Sequence, residues 1–380
     1  MASNISALTK QGVIKPPKFM PDNMHYEAMT GSIAYGCSSD VSDMDIVGFC
    51  IPPKEDVFPH LKGEIPGFGR QIQRFEQFQK HHVQHNKREY DFTIYSIVKF
   101  FQLCMENNPN MIDVLFVPRR CVLYSSRIGE IVRENRKLFL HKGSYHKFKG
   151  YAYSQLHKMT NKETPELVKF EEHHGLGHEF TLSQIAEELR QRGAHPDLEQ
   201  FSEEILFEYR QQLEAVSKRD LDIRAHTFDC KFAYHLVRLC LECEQILREG
   251  DLQLDRKDHR EIYKSIRRGE WEKGKIIAFF ENAEKNLDSL YESSNLRYSP
   301  DIEAIKQLLV DCLEEHFGSL GASALVVPGR ADQVLSEIGA MVERYCNAPA
   351  ESRLVGALRK LGRFAARTVG ATQRGRRRAR

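Results

Sequence analysis

The sequence predicts an α+β fold in which a small mixed β-sheet precedes an all-helical region. Two patterns support this prediction. Short strand-like runs broken by turn signals fill residues 24–126, whereas apolar residues beyond them recur at helical spacings of three and four. Strands with helices, followed by helices alone, are typical of this fold class. We therefore expect a sheet domain over 1–126, a helical domain over 127–317 and a tail over 318–380.

The sheet domain opens with a Pro- and Lys-rich stretch, residues 1–23, which we expect to form an arm or loop. Two runs that flank residues 85–87 predict a β-hairpin. The next run has helical apolar spacing, and the Asn- and Pro-rich residues 107–110 end it. The predicted strands are 24–30, 43–52, 74–84 and 88–98, followed by a helix at 97–107, then a short helix and strands within 111–118 and 121–126.

The helical domain is predicted from apolar spacing and from residues typical of helix ends. Thr181 and Gln184 have the spacing of a capping box. Gly250 and Gly269 stand where glycines end helices. The candidate helices are 125–138, 143–160, 181–192, 198–218, 228–249, 257–267, 270–291 and 300–316.

The composition is that of an ordinary globular protein, with 380 residues, 41% hydrophobic and 28% charged. No run of 18 apolar residues is present, and residues 1–10 lack the apolar core of a signal peptide. We therefore expect a cytoplasmic protein without membrane contact. The cysteines number nine, an odd count that favours reduced thiols. Cys240 and Cys243 lie inside a helical pattern, which favours buried thiols over a zinc site.

The charge is divided unequally along the chain. The formal net charge is +2, but residues 351–380 contain ten basic residues and one acidic residue, a net charge of +9. The preceding 350 residues therefore carry −7. A detached basic tail suits a polyanionic partner such as nucleic acid. A tail that contributes only solubility is the competing interpretation.

Two carboxylates suggest the chemistry of the sheet domain. Asp43 and Asp45 are two residues apart on a predicted strand, so their side chains share one face. Carboxylates this close repel each other unless a cation lies between them. Oxygen ligands of this kind suit Mg²⁺, which commonly binds substrate phosphates as well. Upstream, Gly31 permits a tight turn, and Ser32 offers a hydroxyl and a backbone N–H to a phosphate.

The segment GSIAYGCSSDVSDMDIVGF, residues 31–49, resembles the signature of the DNA polymerase β-like nucleotidyltransferases. Within that superfamily the sequence is similar to the RlaP family, the RNA-ligase-associated polymerase β-like proteins. The resemblance covers about residues 24–300, with an insertion near 161–222. Thr30 departs from the superfamily pattern, which has an apolar residue there. The further matching segments are 89–118, 147–159, 231–254 and 265–271.

The resemblance implies a mechanism and a third carboxylate. Asp91 is the best candidate for the third carboxylate, and Glu89, on the same face, is the alternative. Asp43, Asp45 and Asp91 would hold two Mg²⁺ ions, which would lie about 3.5–4 Å from each other. Mn²⁺ is an alternative metal. The nucleoside monophosphate of an NTP would pass to an acceptor hydroxyl, which Asp91 would orient or deprotonate, and pyrophosphate would leave.

Several basic residues are candidates for nucleotide binding beside Gly31 and Ser32. Lys231, His235 and Arg238 have helical spacing and would line one face of a helix. Arg268 follows a helix, where it either binds phosphate or pairs with the helix C-terminus. Residues 149, 151 and 155 are weaker candidates. A solvated basic stripe is the competing interpretation in each case.

The acceptor is left open by the sequence. RNA is the acceptor that the family resemblance implies, and AMP transfer to a protein is the alternative. A non-catalytic nucleotide or RNA sensor is a third reading, which the intact carboxylates disfavour. The histidine clusters 81–85 and 173–178 lack the spacing of metal ligands, so we expect exposed polar histidines there.

Overall fold

A mixed five-stranded sheet forms the first part of the chain, as predicted. The computed structural model describes residues 3–38, 44–86, 88–160, 165–173, 203–321 and 338–339. The strand order is β3-β4-β2-β1-β5. β2 and β4 pair in parallel, and the other neighbours are antiparallel. The strands are β1 (Met24–Met29), β2 (Met44–Cys50), β3 (Gln77–His85), β4 (Arg88–Ser96) and β5 (Val122–Ser125).

Helices dominate the described part of the chain after β5, which confirms the α+β prediction. Those before β5 are α1 (Asn4–Lys10), α2 (Lys54–Val57), α3 (Ile97–Met105) and α4 (Pro109–Phe116). Those after it are α5 (Arg127–Glu134), α6 (Gly143–Thr160), α7 (Glu166–His173), α8 (Glu203–Ala215), α9 (Lys218–His226), α10 (Cys230–Glu249), α11 (Lys257–Arg267), α12 (Lys273–Ser293) and α13 (Ile302–Phe317).

The prediction of an arm or loop over residues 1–23 was wrong in part, because α1 occupies Asn4–Lys10. Ser3 caps this helix and accepts a hydrogen bond from the N–H of Ser6. The buried carboxylate of Glu27 accepts the backbone N–H groups of Asn4 at 2.7 Å and Ile5 at 3.0 Å. These bonds satisfy helix N-terminal donors that otherwise have no partner. The helix is therefore fixed by a residue on β1, not by its own sequence alone.

The other predicted helix boundaries agree with the structure to different extents. α9 ends eight residues beyond the predicted 198–218 helix, and it begins with a capping box between Ser217 and Asp220. The predicted 181–192 helix and its capping box lie outside the described residues. The prediction for 257–267 matches α11 at both ends.

The two faces of the sheet pack differently. Ile46, Phe92 and Ile94 are buried in one core with Ile5 and Leu8 of α1. On the opposite face, Phe49 lies 4.9 Å from the ring of Phe100 in α3. Because side chains alternate along a strand, Asp45 and Asp91 belong to this second face.

The chain divides into two compact units. Met1–Val57 and Ile72–Gly318 form the first, which contains all the strands and numbered helices given above. Phe58–Gln71 group with Ser319–Arg380 in the second. Within Phe58–Gln71, the Gln71 amide donates to the carbonyls of Ile65 and Phe68. The division at residues 126 and 317 stays a prediction.

Within the described ranges, no helix is both long enough and apolar enough to cross a bilayer. The basic tail at 351–380 lies outside the described residues.

Candidate active site

Asp45 and Asp91 are direct neighbours across two parallel strands. Asp45 on β2 is in register with Asp91 on β4, as Ile46 is with Phe92. Adjacent strands lie about 4.8 Å apart, so the two carboxylates start from neighbouring positions on one face. Asp43 lies outside the described residues. The parallel pairing therefore supplies a carboxylate pair that the Asp-x-Asp motif alone did not reveal.

The turn at Gly31 approaches the carboxylate of Asp45 closely. Gly31 has φ +65, and a Cβ at this position would lie 2.7 Å from Asp45 Oδ2. Any side chain here would therefore displace that carboxylate, and the backbone conformation itself favours glycine. Ser32 follows in the same turn, Gly31–Ile33. Its carbonyl accepts the N–H of Cys37 at 2.9 Å.

The loop after Gly31, residues 32–38, is held by groups from distant parts of the chain. The buried hydroxyl of Tyr35 donates to Asp113 Oδ2 on α4. Arg267, at the end of α11, donates to the carbonyl of Cys37 at 2.8 Å. Arg120 donates to the carbonyl of Ile33 at 3.4 Å. These contacts fix the loop against the helices, which favours a preformed binding site.

A bulge in β3 lies opposite Asp91. The register shifts between Lys80 and Val83, so that His81 and His82 together oppose Asp91. The backbone N–H of His82 donates to Asp91 Oδ1 at 2.8 Å. The ring nitrogen Nδ1 of His81 lies 3.4 Å from Asp91 Oδ2. Both oxygens of Asp91 are therefore oriented by the neighbouring strand.

A cleft of about 320 Å³ contains Asp45 and part of the Gly31 turn. This volume is within the range of small-molecule sites. The sheet contributes one wall, and α4 and α10 contribute others. The lining residues include Thr30, Gly31, Tyr35, Asp45, Val47, Thr93, Tyr95, Asn110, Met111, Asp113, Val114, His235 and Arg238.

The three basic residues predicted on one helix face have different surroundings. His235 and Arg238 line the cleft, whereas Lys231 is exposed in the first turn of α10. Arg238 is only 4% exposed and donates to Asp113 at 2.6 Å and to Glu242 at 2.8 Å. Its guanidinium also lies over the Tyr35 ring, 4.5 Å from the centroid. Arg238 thus joins α10 to α4 and to the loop after Gly31.

Burial shifts the pKa values of the two carboxyl groups that contact Arg238. Burial raises the pKa of Asp113, and the charge of Arg238 opposes that rise. Burial likewise raises the pKa of Glu242. Two carboxyl groups thus share one guanidinium, a network that the sequence analysis missed. Asp113 is an isolated acidic residue in the apolar helix PNMIDVLF, and that contrast was the available signal for a buried partner.

Arg268 and its neighbour Arg267 also differ. Arg268 is exposed and pairs with Glu270, whereas Arg267 contacts the loop after Gly31. Lys149, a weaker candidate, pairs with Glu284 at 2.8 Å and Asp288 at 3.2 Å. The roles of the candidate residues in nucleotide binding stay predictions.

The eight cysteines that the structure describes are buried. Cys240 and Cys243 are among them, and burial raises the pKa of both thiols. His81 and His82 are exposed, as expected, but both contact carboxylates of β4. In the second histidine cluster only His173 is described, because residues 174–178 lie outside the described residues.

Comparison with known proteins identifies the family. No curated protein matches the chain. A solved crystal structure of a nucleotidyltransferase-like protein from Exiguobacterium sibiricum 255-15 is similar over 90% of this chain and 91% of that chain, with 8% identity and a TM-score of 0.24, values too low to support an argument. The model of the RlaP family, described as the RNA repair pathway DNA polymerase beta family, matches residues 10–311. The chain therefore belongs to the RlaP family of polymerase β-like nucleotidyltransferases.

Proposed function

We propose that this protein transfers a nucleoside monophosphate from an NTP to a hydroxyl group of RNA and releases pyrophosphate. The observation that carries the proposal is the registered pair of Asp45 and Asp91 on one face of the sheet. Gly31 brings the phosphate-binding turn against Asp45. Family membership supports the reaction type.

The residues at this site fit a divalent cation that prefers oxygen ligands. Asp45 and Asp91 offer carboxylate oxygens from adjacent strands, and a side chain at Gly31 would displace Asp45 Oδ2. Mg²⁺ suits such ligands and usually binds substrate phosphates as well. We propose that these two residues, with Asp43, hold Mg²⁺. When bound, the metal would polarise phosphate oxygens and neutralise developing charge.

The protein's own groups have separate roles in this proposal. The turn at Gly31 and Ser32 binds the triphosphate through backbone N–H groups and the Ser32 hydroxyl. Asp91, oriented by the β3 bulge, accepts the proton of the attacking hydroxyl. Arg238 holds the loop after Gly31 and α4 in place through Tyr35 and Asp113, and it does not itself bind the phosphate. His235, on the cleft wall, is the α10 side chain that contacts the substrate.

RNA is the proposed acceptor for two reasons. The family is described by its RNA repair pathway. The final thirty residues carry a net charge of +9, which suits a polyanion.

The experiment supplies the full-length protein with Mg²⁺, an NTP labelled at its α-phosphate, and RNA, DNA or a protein mixture in separate reactions. We expect label on RNA together with release of pyrophosphate. Label on protein alone would indicate AMP transfer instead. Absence of both label and pyrophosphate would contradict nucleotidyl transfer.

A further inference from the structure

The β3 bulge adds an imidazole to two carboxylates of β4. His82, Glu89 and Asp91 each offer a ligand atom, and these atoms all lie within 4.8 Å of one another. Glu89 and Asp91 are two residues apart on β4 and therefore share a face. Ligand atoms about 2.0–2.2 Å from one tetrahedral ion lie roughly 3.3–3.6 Å from each other. Binding of one ion therefore requires side-chain rotations that adjust the separations of the three groups.

The cluster is built into the strand pairing. His82 adopts φ 56, in the left-handed region that few residues other than glycine favour. The bulge that requires this conformation also directs the N–H of His82 to Asp91 at 2.8 Å. The ring of His82 contacts Glu89 Oε1, and the amide of Gln84 donates to the other oxygen of Glu89. The backbone and a neighbouring amide thus orient the two carboxylates.

We propose that His82, Glu89 and Asp91 bind a divalent transition-metal ion such as Zn²⁺, at a second site that shares only Asp91 with the proposed Mg²⁺ site. The chemistry of the donors carries this assignment. Mg²⁺ prefers oxygen ligands, whereas imidazole nitrogen suits zinc and its neighbours in the transition series. Glu89 and His82 have no part in the proposed transfer.

The second site has a consequence for catalysis, which rests on the proposed function. Asp91 belongs to both sites. A Zn²⁺ ion held by His82, Glu89 and Asp91 would compete with Mg²⁺ for the carboxylate of Asp91. We therefore expect Zn²⁺ to inhibit the transfer that Mg²⁺ supports.

The binding test uses the metal-free, full-length protein under reducing conditions. Zn²⁺ is titrated calorimetrically into the parent protein and into His82→Asn. Asparagine tolerates the left-handed conformation and keeps the backbone N–H to Asp91, but it lacks the imidazole. His85→Asn, on the same strand, is the matched control. We expect His82→Asn to bind Zn²⁺ at this site at least about tenfold more weakly, because even the loss of a group that only orients a ligand weakens metal binding about ten- to a hundredfold, and His85→Asn to bind as the parent does.

The outcomes separate this inference from the proposed function. Equal Zn²⁺ affinity and stoichiometry in the parent and His82→Asn would overturn the second site, whatever the transfer activity. A parent that binds Zn²⁺ through His82 but transfers no nucleotide to any acceptor would overturn the proposed function alone. Glu89→Gln, which leaves His82 and the bulge in place, gives a second test, and it too is expected to weaken Zn²⁺ binding. Circular dichroism of each variant checks that the fold is intact.

Discussion

Arg238 shows how one residue can fit a sequence pattern and still have another partner. Its helical spacing with Lys231 and His235 predicted a shared basic face. The spacing correctly places the three residues on one helix. It gives no information about Asp113, which lies 125 positions earlier in the chain. Two carboxylates and a tyrosine surround the guanidinium, so its first role is to hold elements together.

Replacement of Arg238 should therefore destabilise the protein strongly. Arg238→Met leaves Asp113 and Glu242 buried without their cation. We expect the free energy of unfolding, measured with urea, to fall by about 3–5 kcal/mol. Arg248→Met, which removes an exposed pair with Glu244 on the same helix, should cost less than about 1 kcal/mol. Equal stability of the two variants would indicate that Arg238 is dispensable for the fold.

At the scale of elements, strand pairing and helix docking position the candidate site. Alternation along β4 was readable from the sequence, because Phe92 and Ile94 interrupt the polar positions. The parallel partner of β4 was not readable, since β2 is separated from it by 37 residues. The bulge in β3 was equally hidden, because an extra residue leaves no signature in a polar strand. α1 was missed because its N-terminal partner, Glu27, lies on another element.

A contact between β1 and α13 should make stability depend on pH. His25 on β1 bonds to Ser126 at 2.8 Å and to His316 on α13 at 3.1 Å. Burial lowers the pKa of His25 to about 4, and repulsion from His316 adds to the effect. Burial also lowers the pKa of His316. The folded state thus favours neutral imidazoles at this contact.

The sign follows from comparison with the unfolded chain. The pKa of His25 is lower in the folded state than its ordinary value of about 6.5, so the unfolded state binds the proton first as the pH falls. The contribution of neutral His25 to the free energy of unfolding is fully present above pH 6.5. It is lost as the pH falls toward 4, and about 2 kcal/mol of it is lost by pH 5. Between pH 7 and pH 5, we expect the free energy of unfolding of His25→Gln to fall by about 2 kcal/mol less than that of the parent. His146→Gln, which changes an exposed residue of α6, should behave as the parent, and an unchanged pH dependence in His25→Gln would contradict the assignment.

At the scale of the whole molecule, the fold class and the succession of elements could be predicted because apolar periodicity is a local property. The family could be recognised because its motif is also local. The clefts, the buried ion network and the bulge depend on residues far apart in the chain, so they required the structure.

The basic tail gives a prediction for the intact chain. Deletion of residues 351–380 removes a net charge of +9. If the tail binds RNA, its removal should weaken RNA affinity and flatten the dependence of affinity on salt, because fewer counterions are released. Nucleotide transfer to a small acceptor should be unchanged. Affinities of the full-length and truncated proteins at two salt concentrations provide the measurement, and equal affinities with equal salt slopes would leave the tail without a role in binding.

The central claim is that Asp43, Asp45 and Asp91 form the metal-binding catalytic centre. The most direct test is the rate of Mg²⁺-dependent nucleotide transfer by Asp43→Asn, Asp45→Asn and Asp91→Asn, compared with Asp311→Asn, which changes an exposed carboxylate on α13. We expect each of the first three variants to lose at least about a hundredfold in rate. Their melting temperatures without metal should be unchanged or higher, because carboxylate repulsion is relieved. Asp311→Asn should keep the parental rate. Full activity of Asp45→Asn with Mg²⁺ would contradict the metal-binding role of the carboxylates.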